Sequence, residues 1–208
     1  EECVHDPGVW SMLSKDKKSV IGYMTVYVDD CIVACKTVSL TEEKVKQIDD
    51  IHPLTRIKTI SDGNGGETFD LCGSDVTINS EKRSLKICMS NYCSKLLKRF
   101  DMTDAKPRAT PSFKEENLYE DKAGESKFEF RACVGALQWL ATTARPDVAH
   151  ATNTLARAAA RPVTKSMARC ARNVMRYLIA TKDFALEYSP AIEQQFYKEI
   201  ENIANHDE

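Results

Sequence analysis

The chain is organised around one short stretch, residues 20–36, in which two runs of strand-forming residues flank the adjacent pair Asp29 and Asp30. The flanking runs, 20–28 and 31–35, are rich in β-branched, aromatic and cysteine residues, and this composition predicts two strands. An acidic pair between strands suits the tight turn of a β-hairpin, because a short carboxylate accepts hydrogen bonds from nearby backbone N–H groups. The sequence therefore predicts a hairpin with Asp29 and Asp30 at or beside its tip.

The acidic pair itself suggests a metal site. Two neighbouring carboxylates repel each other, and a divalent cation relieves that repulsion. Mg²⁺ accepts hard oxygen ligands and shares its shell with water and substrate phosphates, so the pair is typical of metal-assisted phosphoryl transfer. An ordinary acidic hairpin turn is the alternative that the pair alone leaves open.

The tetrapeptide Tyr27-Val28-Asp29-Asp30 resembles the YxDD catalytic box of reverse transcriptases, and in this apolar setting it resembles the copia-type retrotransposon Pol polyprotein. Further segments resemble motifs of the same family in the same order along the chain. They are residues 6–10, 91–111, 134–137, 140–143, 145–150 and 176–178. The chain departs from the family at Ile179-Ala180, where the family has Lys-Gly, and throughout the tail after Tyr188.

The resemblance implies an α+β fold, with a partial polymerase palm of β-hairpins plus helices followed by a helical, thumb-like bundle. Residues 1–105 would form the C-terminal part of the palm, 106–128 a linker, 129–182 the bundle, and 183–208 a strand and an acidic amphipathic tail. Hydrophobic periodicity and start signals independently predict helices over 39–51, 90–100, 130–143, 146–160 and 164–181. The tail has seven acids against one lysine, and Ile192, Phe196, Ile200 and Ile203 lie on one helical face.

The resemblance also implies the site chemistry. Asp29 and Asp30 would be the catalytic metal ligands, Mg²⁺ the cofactor, and Tyr27 a neighbour of the primer terminus in a two-metal nucleotidyl transfer. In the family a third carboxylate and the nucleotide-clamping fingers come from residues upstream of residue 1. We therefore expect an RNA-directed DNA polymerase fragment that binds an RNA or DNA template-primer within the intact enzyme and is inactive alone.

Two further features point to nucleic acid. Residues 68–78 and 85–89 predict the two strands of a second hairpin around residues 79–83. Gly73 belongs to the stretch 69–73, which resembles the family's primer-gripping hairpin, although a bulge in an edge strand explains this glycine equally well. Lys165, Arg169, Arg172 and Arg176 recur at helical spacing, so they share one face that suits duplex phosphates. A solvated helix face is the alternative explanation of that basic stripe.

Composition limits the remaining possibilities. The formal net charge of −2 does not by itself indicate a nucleic-acid-binding protein, and no apolar run is long enough to cross a membrane. Eight cysteines without a CxxC pair predict free thiols in a reducing compartment, which suggests the cytoplasm or nucleus.

Because Glu1 rather than Met opens the chain, we expect a piece of a longer polypeptide. Either the missing N-terminal palm and fingers or another protein chain would cover the exposed palm edge. A retroelement-derived nucleic-acid-binding module without catalysis, and a structural subunit of a larger assembly, are the alternative functions.

Overall fold

The computed structural model describes residues 1–121 and 126–204, and for residues 202–204 it describes the backbone only. The described residues form eight strands in two antiparallel sheets, together with six α-helices, so the predicted α+β class is confirmed. The chain divides into unit 1, residues 1–57, and unit 2, residues 58–208. This boundary differs from the palm predicted over 1–105, because each unit has a sheet of its own.

Unit 1 consists of a three-stranded sheet and one helix. Strands β1 (Val9–Leu13), β2 (Val20–Tyr27) and β3 (Asp30–Cys35) lie in the order β1-β2-β3, and helix α1 spans Val38–Asp49. The predicted start of α1 at Ser39 is one residue late. The N-cap is Thr37, which has an extended backbone. Its Oγ1 accepts a hydrogen bond from the Leu40 N–H at 3.3 Å and so satisfies one donor of the first turn.

The sheet of unit 2 has five strands, β4 (Ile60–Ser61), β5 (Gly66–Leu71), β6 (Ser74–Asn79), β7 (Ser84–Cys88) and β8 (Ala185–Tyr188), in that order. The sequence predicted one long strand over 68–78, and the structure corrects this to two strands joined at Cys72-Gly73. Both loop residues have positive φ, +51° and +82°, as in the two-residue hairpin turns that favour glycine. Cys72 adopts this backbone without being glycine.

Five helices complete unit 2. They are α2 (Ser90–Arg99), α3 (Phe130–Thr143), α4 (Ala149–Ala158), α5 (Lys165–Thr181) and α6 (Pro190–Ala204), with short 3₁₀ turns at Glu115–Leu118 and Pro146–Val148. The core contains the wholly buried Leu137, Leu140, Leu155 and Leu178, and burying each such side chain contributes about 1.5–3 kcal/mol. Trp139, which we expected in this core, is instead 43% exposed.

The segment predicted as a linker, 106–128, packs against the bundle over its described residues. Leu118 is completely buried in the core, and Asp121 Oδ2 accepts the Ser166 N–H at 2.6 Å at the start of α5. A segment poor in apolar residues can still be fixed by one buried leucine and a few polar contacts. Residues 122–125 of the predicted linker and 205–208 of the predicted tail lie outside the described residues.

Strand β8 follows the helical bundle and pairs with β7, as Leu186 opposite Ile87. Strands β4 to β8 and the helical bundle therefore belong to the same compact unit, and the division into palm and thumb stays a prediction. The eight cysteines form no disulfide, as predicted, and all of them lie in the part of the chain that the structure describes. Within the described part of the chain, no helix is both long enough and apolar enough to span a membrane.

Candidate functional site

The acidic pair lies at the tip of the β2–β3 hairpin, where the sequence predicted it. Tyr27 pairs with Asp30, so the loop consists of Val28 and Asp29, and Asp30 is the first residue of β3. Tyr27 is 66% exposed, Asp29 is exposed and Asp30 is half-buried. The tip therefore presents an aromatic ring and at least one carboxylate to solvent.

The backbone of the tip is strained at Val28, whose φ is +57°. Of the two loop residues only Val28 has positive φ, as in a type II′ turn, where glycine is the usual first residue. A β-branched residue in this region is an outlier that costs about 1–3 kcal/mol, and such residues cluster at functional sites. Next to the tip, the Val26 N–H donates to Gly8 O at 2.7 Å, which ties β2 to the segment before β1.

The side chains at the tip include the type of oxygen donor that Mg²⁺ accepts. Carboxylate oxygens are suitable donors, and an exposed tip leaves space for water and phosphate oxygens. Among the described residues, no group of three or more His, Cys, Asp or Glu side chains is placed to hold a metal ion. A magnesium site at Asp29 and Asp30 would need further oxygen ligands besides those of the described residues. Among the described strands, β3 lies at the edge of its sheet.

Gly73 occupies the tip of the β5–β6 hairpin. A Cβ atom built there would meet nothing within 4 Å, so no close backbone approach explains this glycine. Its φ of +82° does explain it, and the Gly73 N–H donates to Asp70 Oδ1 at 3.2 Å to close the turn. The predicted edge-strand bulge is thus wrong, and a contact between Gly73 and a primer stays a prediction.

The basic stripe of α5 contacts residues of the predicted linker. Arg169 forms an ion pair with Glu120, and the Arg172 guanidinium lies 4.8 Å from the centre of the Phe128 ring. Arg176 Nε donates to Lys106 O at 2.5 Å, whereas Lys165 is exposed at the start of the helix. Three of the four cations thus stabilise segment 106–128, and phosphate binding by the stripe stays a prediction.

Sequence reasoning missed the most deeply buried charged group, Arg145, which is 1% exposed. Its guanidinium donates to both carboxylate oxygens of Asp147 and, at 2.8 Å, to Thr181 O; the Tyr177 hydroxyl donates to Asp147 Oδ2 at 2.7 Å. The tripeptide Arg-Pro-Asp at residues 145–147, between two predicted helices, could have indicated this ion pair. A guanidinium can form two hydrogen bonds with a nearby carboxylate and so join two helices.

Burial and hydrogen bonding have opposite effects on the pKa values of Asp147 and Arg145. Burial raises the pKa of Asp147, but hydrogen bonds from Arg145 and Tyr177 outweigh it and hold that pKa below its ordinary value. Burial likewise lowers the pKa of Arg145, and the hydrogen bond and charge of Asp147 more than offset this, so the net shift is upward. The pair is therefore ionised at neutral pH and stabilises the corner between α3 and α4.

Several known proteins that are similar to this chain are described as transposon proteins. The chain is 27% identical over 168 residues to a Saccharomyces cerevisiae protein assigned to transposon Ty5-1, covering 80% of this chain and 51% of that protein. It is 26% identical over 184 residues to the retrovirus-related Pol polyprotein from transposon TNT 1-94 of Nicotiana tabacum, covering 85% and 13%. With the corresponding polyprotein from transposon RE2 of Arabidopsis thaliana it shares 29% identity over 180 residues, covering 81% and 11%.

The chain thus spans about half the length of the yeast relative and about an eighth or less of the two plant polyproteins. No family model matches the sequence. No solved structure matches it either.

Proposed function

We propose that this chain is a retroelement-derived segment of a copia-type reverse transcriptase, in which Asp29 and Asp30 hold Mg²⁺ for RNA-directed DNA synthesis within a longer polypeptide. The similarity to transposon Pol polyproteins over at least four-fifths of the chain supports the retroelement origin. The observation that carries the catalytic part is the acidic pair on a strained, exposed hairpin tip.

Each tip residue has a separate task in this proposal. The carboxylates of Asp29 and Asp30 bind the metal, which when present activates the primer 3′-hydroxyl and stabilises the leaving pyrophosphate. The strained Val28 turn holds the two carboxylates in a fixed direction, because a two-residue loop between paired strands has little freedom. Tyr27 offers its exposed ring to the terminal base pair of the primer.

The position of β3 at the edge of its sheet, in the part of the chain that the structure describes, suggests how the site is completed. A strand that pairs with β3 would bring its side chains next to Asp30, and a carboxylate on that strand would supply the third ligand. The 208-residue chain alone lacks this ligand among its described residues. The absence of a metal-binding carboxylate and the absence of the nucleotide-clamping fingers would each cost several kcal/mol of transition-state stabilisation. We therefore expect no DNA synthesis by the chain alone.

Primer extension tests the proposal. In a chimera, residues 1–208 replace the corresponding segment of an active copia-type reverse transcriptase, and extension on an RNA template is measured with Mg²⁺. We expect extension by the chimera, loss of at least about a thousandfold with Asp29→Asn, and no loss with Asp50→Asn, an exposed acid in the same unit.

Two outcomes would contradict the proposal. The first is a folded chimera that makes no DNA, and the second is extension that is indifferent to Asp29→Asn. Extension by the 208-residue chain alone would refute the expectation that the site is incomplete.

A further inference from the structure

Unit 2 has a groove with features of a ligand-binding site. This groove has no part in the chemistry proposed for the hairpin tip. Its volume is about 490 Å³, within the usual range for small-molecule pockets. It is lined by Arg108, Ser112, Phe113, Lys114, Asn117 and Asn173. Five of these residues belong to segment 108–117, and the sixth lies on α5.

The groove is positively charged although the whole chain is not. Two of its lining residues are cations and none is an acid. The acids that follow along the chain are mostly engaged elsewhere: Glu115 pairs with Arg157 at 3.1 Å, and Glu120 pairs with Arg169. Glu116 is exposed. An anion entering the groove therefore meets Arg108 and Lys114 without a lining carboxylate to repel it.

The walls of the groove are fixed by contacts within unit 2. The Arg108 N–H donates to Arg176 O at 3.1 Å, which joins one wall to α5. The Asn117 N–H donates to Lys114 O at 3.0 Å in the short 3₁₀ turn that ends at the completely buried Leu118. Both ends of segment 108–117 are thus held by contacts within unit 2.

The lining residues match one class of ligand. A guanidinium and an ammonium together suit a phosphate group. The half-buried ring of Phe113 offers a flat apolar surface, and stacking on such rings is how proteins hold nucleic-acid bases. The side chains of Ser112, Asn117 and Asn173 can donate and accept hydrogen bonds to a sugar or a base edge.

We propose that this groove binds a nucleoside phosphate, with the phosphate between Arg108 and Lys114 and the base against Phe113. The ligand is either a free mononucleotide or one unit of a single-stranded nucleic acid. This site does not involve Asp29 or Asp30, so it stands or falls independently of the polymerase proposal.

Binding of a labelled oligothymidylate of about ten nucleotides, followed by fluorescence anisotropy at low salt, tests the site on the 208-residue chain. The double variant Arg108→Glu, Lys114→Glu should weaken binding at least about tenfold. The matched control, Lys95→Glu with Lys98→Glu, makes the same charge change on the exposed face of α2 and should weaken it far less. Phe113→Leu should weaken binding about fivefold through lost stacking.

Thymidine 5′-monophosphate as competitor distinguishes the two sources of the ligand. If the mononucleotide displaces the probe, the ligand is a free nucleotide. If the oligomer binds but the mononucleotide does not displace it, the ligand is a single strand. Inorganic phosphate alone should displace the probe poorly. Equal thermal unfolding of all variants, and the single variant Lys114→Glu at an exposed position, exclude misfolding as the cause.

The proposal is overturned if no probe binds, if the double variant binds like the wild type, or if the α2 control loses as much affinity as the double variant. Effective displacement by inorganic phosphate alone, with no effect of Phe113→Leu, would also overturn it, since the base would then make no contact.

Discussion

Arg145 and Asp147 form a bidentate ion pair, in which Arg145 Nε donates to Asp147 Oδ1 at 2.9 Å and Nη2 donates to Oδ2 at 2.7 Å. The arginine side chain is 1% exposed and the aspartate side chain 31% exposed. The same guanidinium reaches Thr181 at the end of α5, so the pair joins the α3–α4 corner to the last turn of a third helix.

Arg145→Met should destabilise unit 2 by about 3 kcal/mol, because it leaves Asp147 without its counter-charge and Thr181 O without its donor. Chemical denaturation followed by circular dichroism measures this. Arg99→Met, which removes an exposed ion pair with Glu129, is the matched control and should cost far less. Equal effects of the two changes would mean that the buried pair does not stabilise the fold.

The pH dependence of stability should carry the signature of Asp147. Its pKa in the folded protein lies below its ordinary value of 3.8, so its contribution is present above that value and is lost as pH falls through the folded pKa. The gap in unfolding free energy between wild type and Asp147→Asn should therefore shrink as pH is lowered from about 5 to about 2. A gap of the same size at pH 5 and pH 2 would contradict this role of the Asp147 carboxylate.

Strain at the hairpin tip predicts a stabilising substitution. Val28→Gly should stabilise the hairpin by about 1 kcal/mol, since relief of the positive φ exceeds the entropy that glycine adds to the unfolded chain. Hydrogen exchange of the amide of Ile32, which pairs with Thr25 across the hairpin, reports this local stability. Val26→Gly, within the paired strand beside the tip, should destabilise the same hairpin, and a matching stabilisation there would contradict strain as the cause.

The thiols should fall into two classes of reactivity. Burial raises the pKa of Cys93 to about 11, of Cys133 to about 12 and of Cys170 to about 11, and all three side chains are buried. They should resist alkylation at pH 8 in the native protein, whereas the exposed Cys72 reacts. Mass spectrometry of peptides, before and after unfolding, identifies the labelled residues; rapid native labelling of Cys133 would contradict the packing of the core.

Local patterns predicted those elements whose residues carry their own signals. The alternation around residues 20–35 predicted the hairpin, and the apolar spacing of α3 predicted its limits of Phe130 and Thr143. The break at Cys72 was not predictable, because cysteine rarely adopts positive φ.

Local sequence patterns also did not predict which residues the charged side chains contact. Arginine is seldom buried without a partner, and one partner of Arg145 lies 36 positions away at Thr181, beyond the reach of a local pattern. The stripe on α5 was predictable as a shared face. Its contacts with Glu120 and Phe128 were not, since they depend on how a distant segment packs.

Manganese-induced line broadening in the ¹⁵N-labelled 208-residue chain tests the metal site most directly, because Mn²⁺ accepts the same oxygen ligands as Mg²⁺ and broadens only nearby signals. We predict broadening that is strongest at the amides of residues 28–31 and decreases with distance along β2 and β3, competed by Mg²⁺ and abolished by Asp29→Asn. Uniform broadening, or tip broadening that survives Asp29→Asn, would contradict a magnesium site at this hairpin.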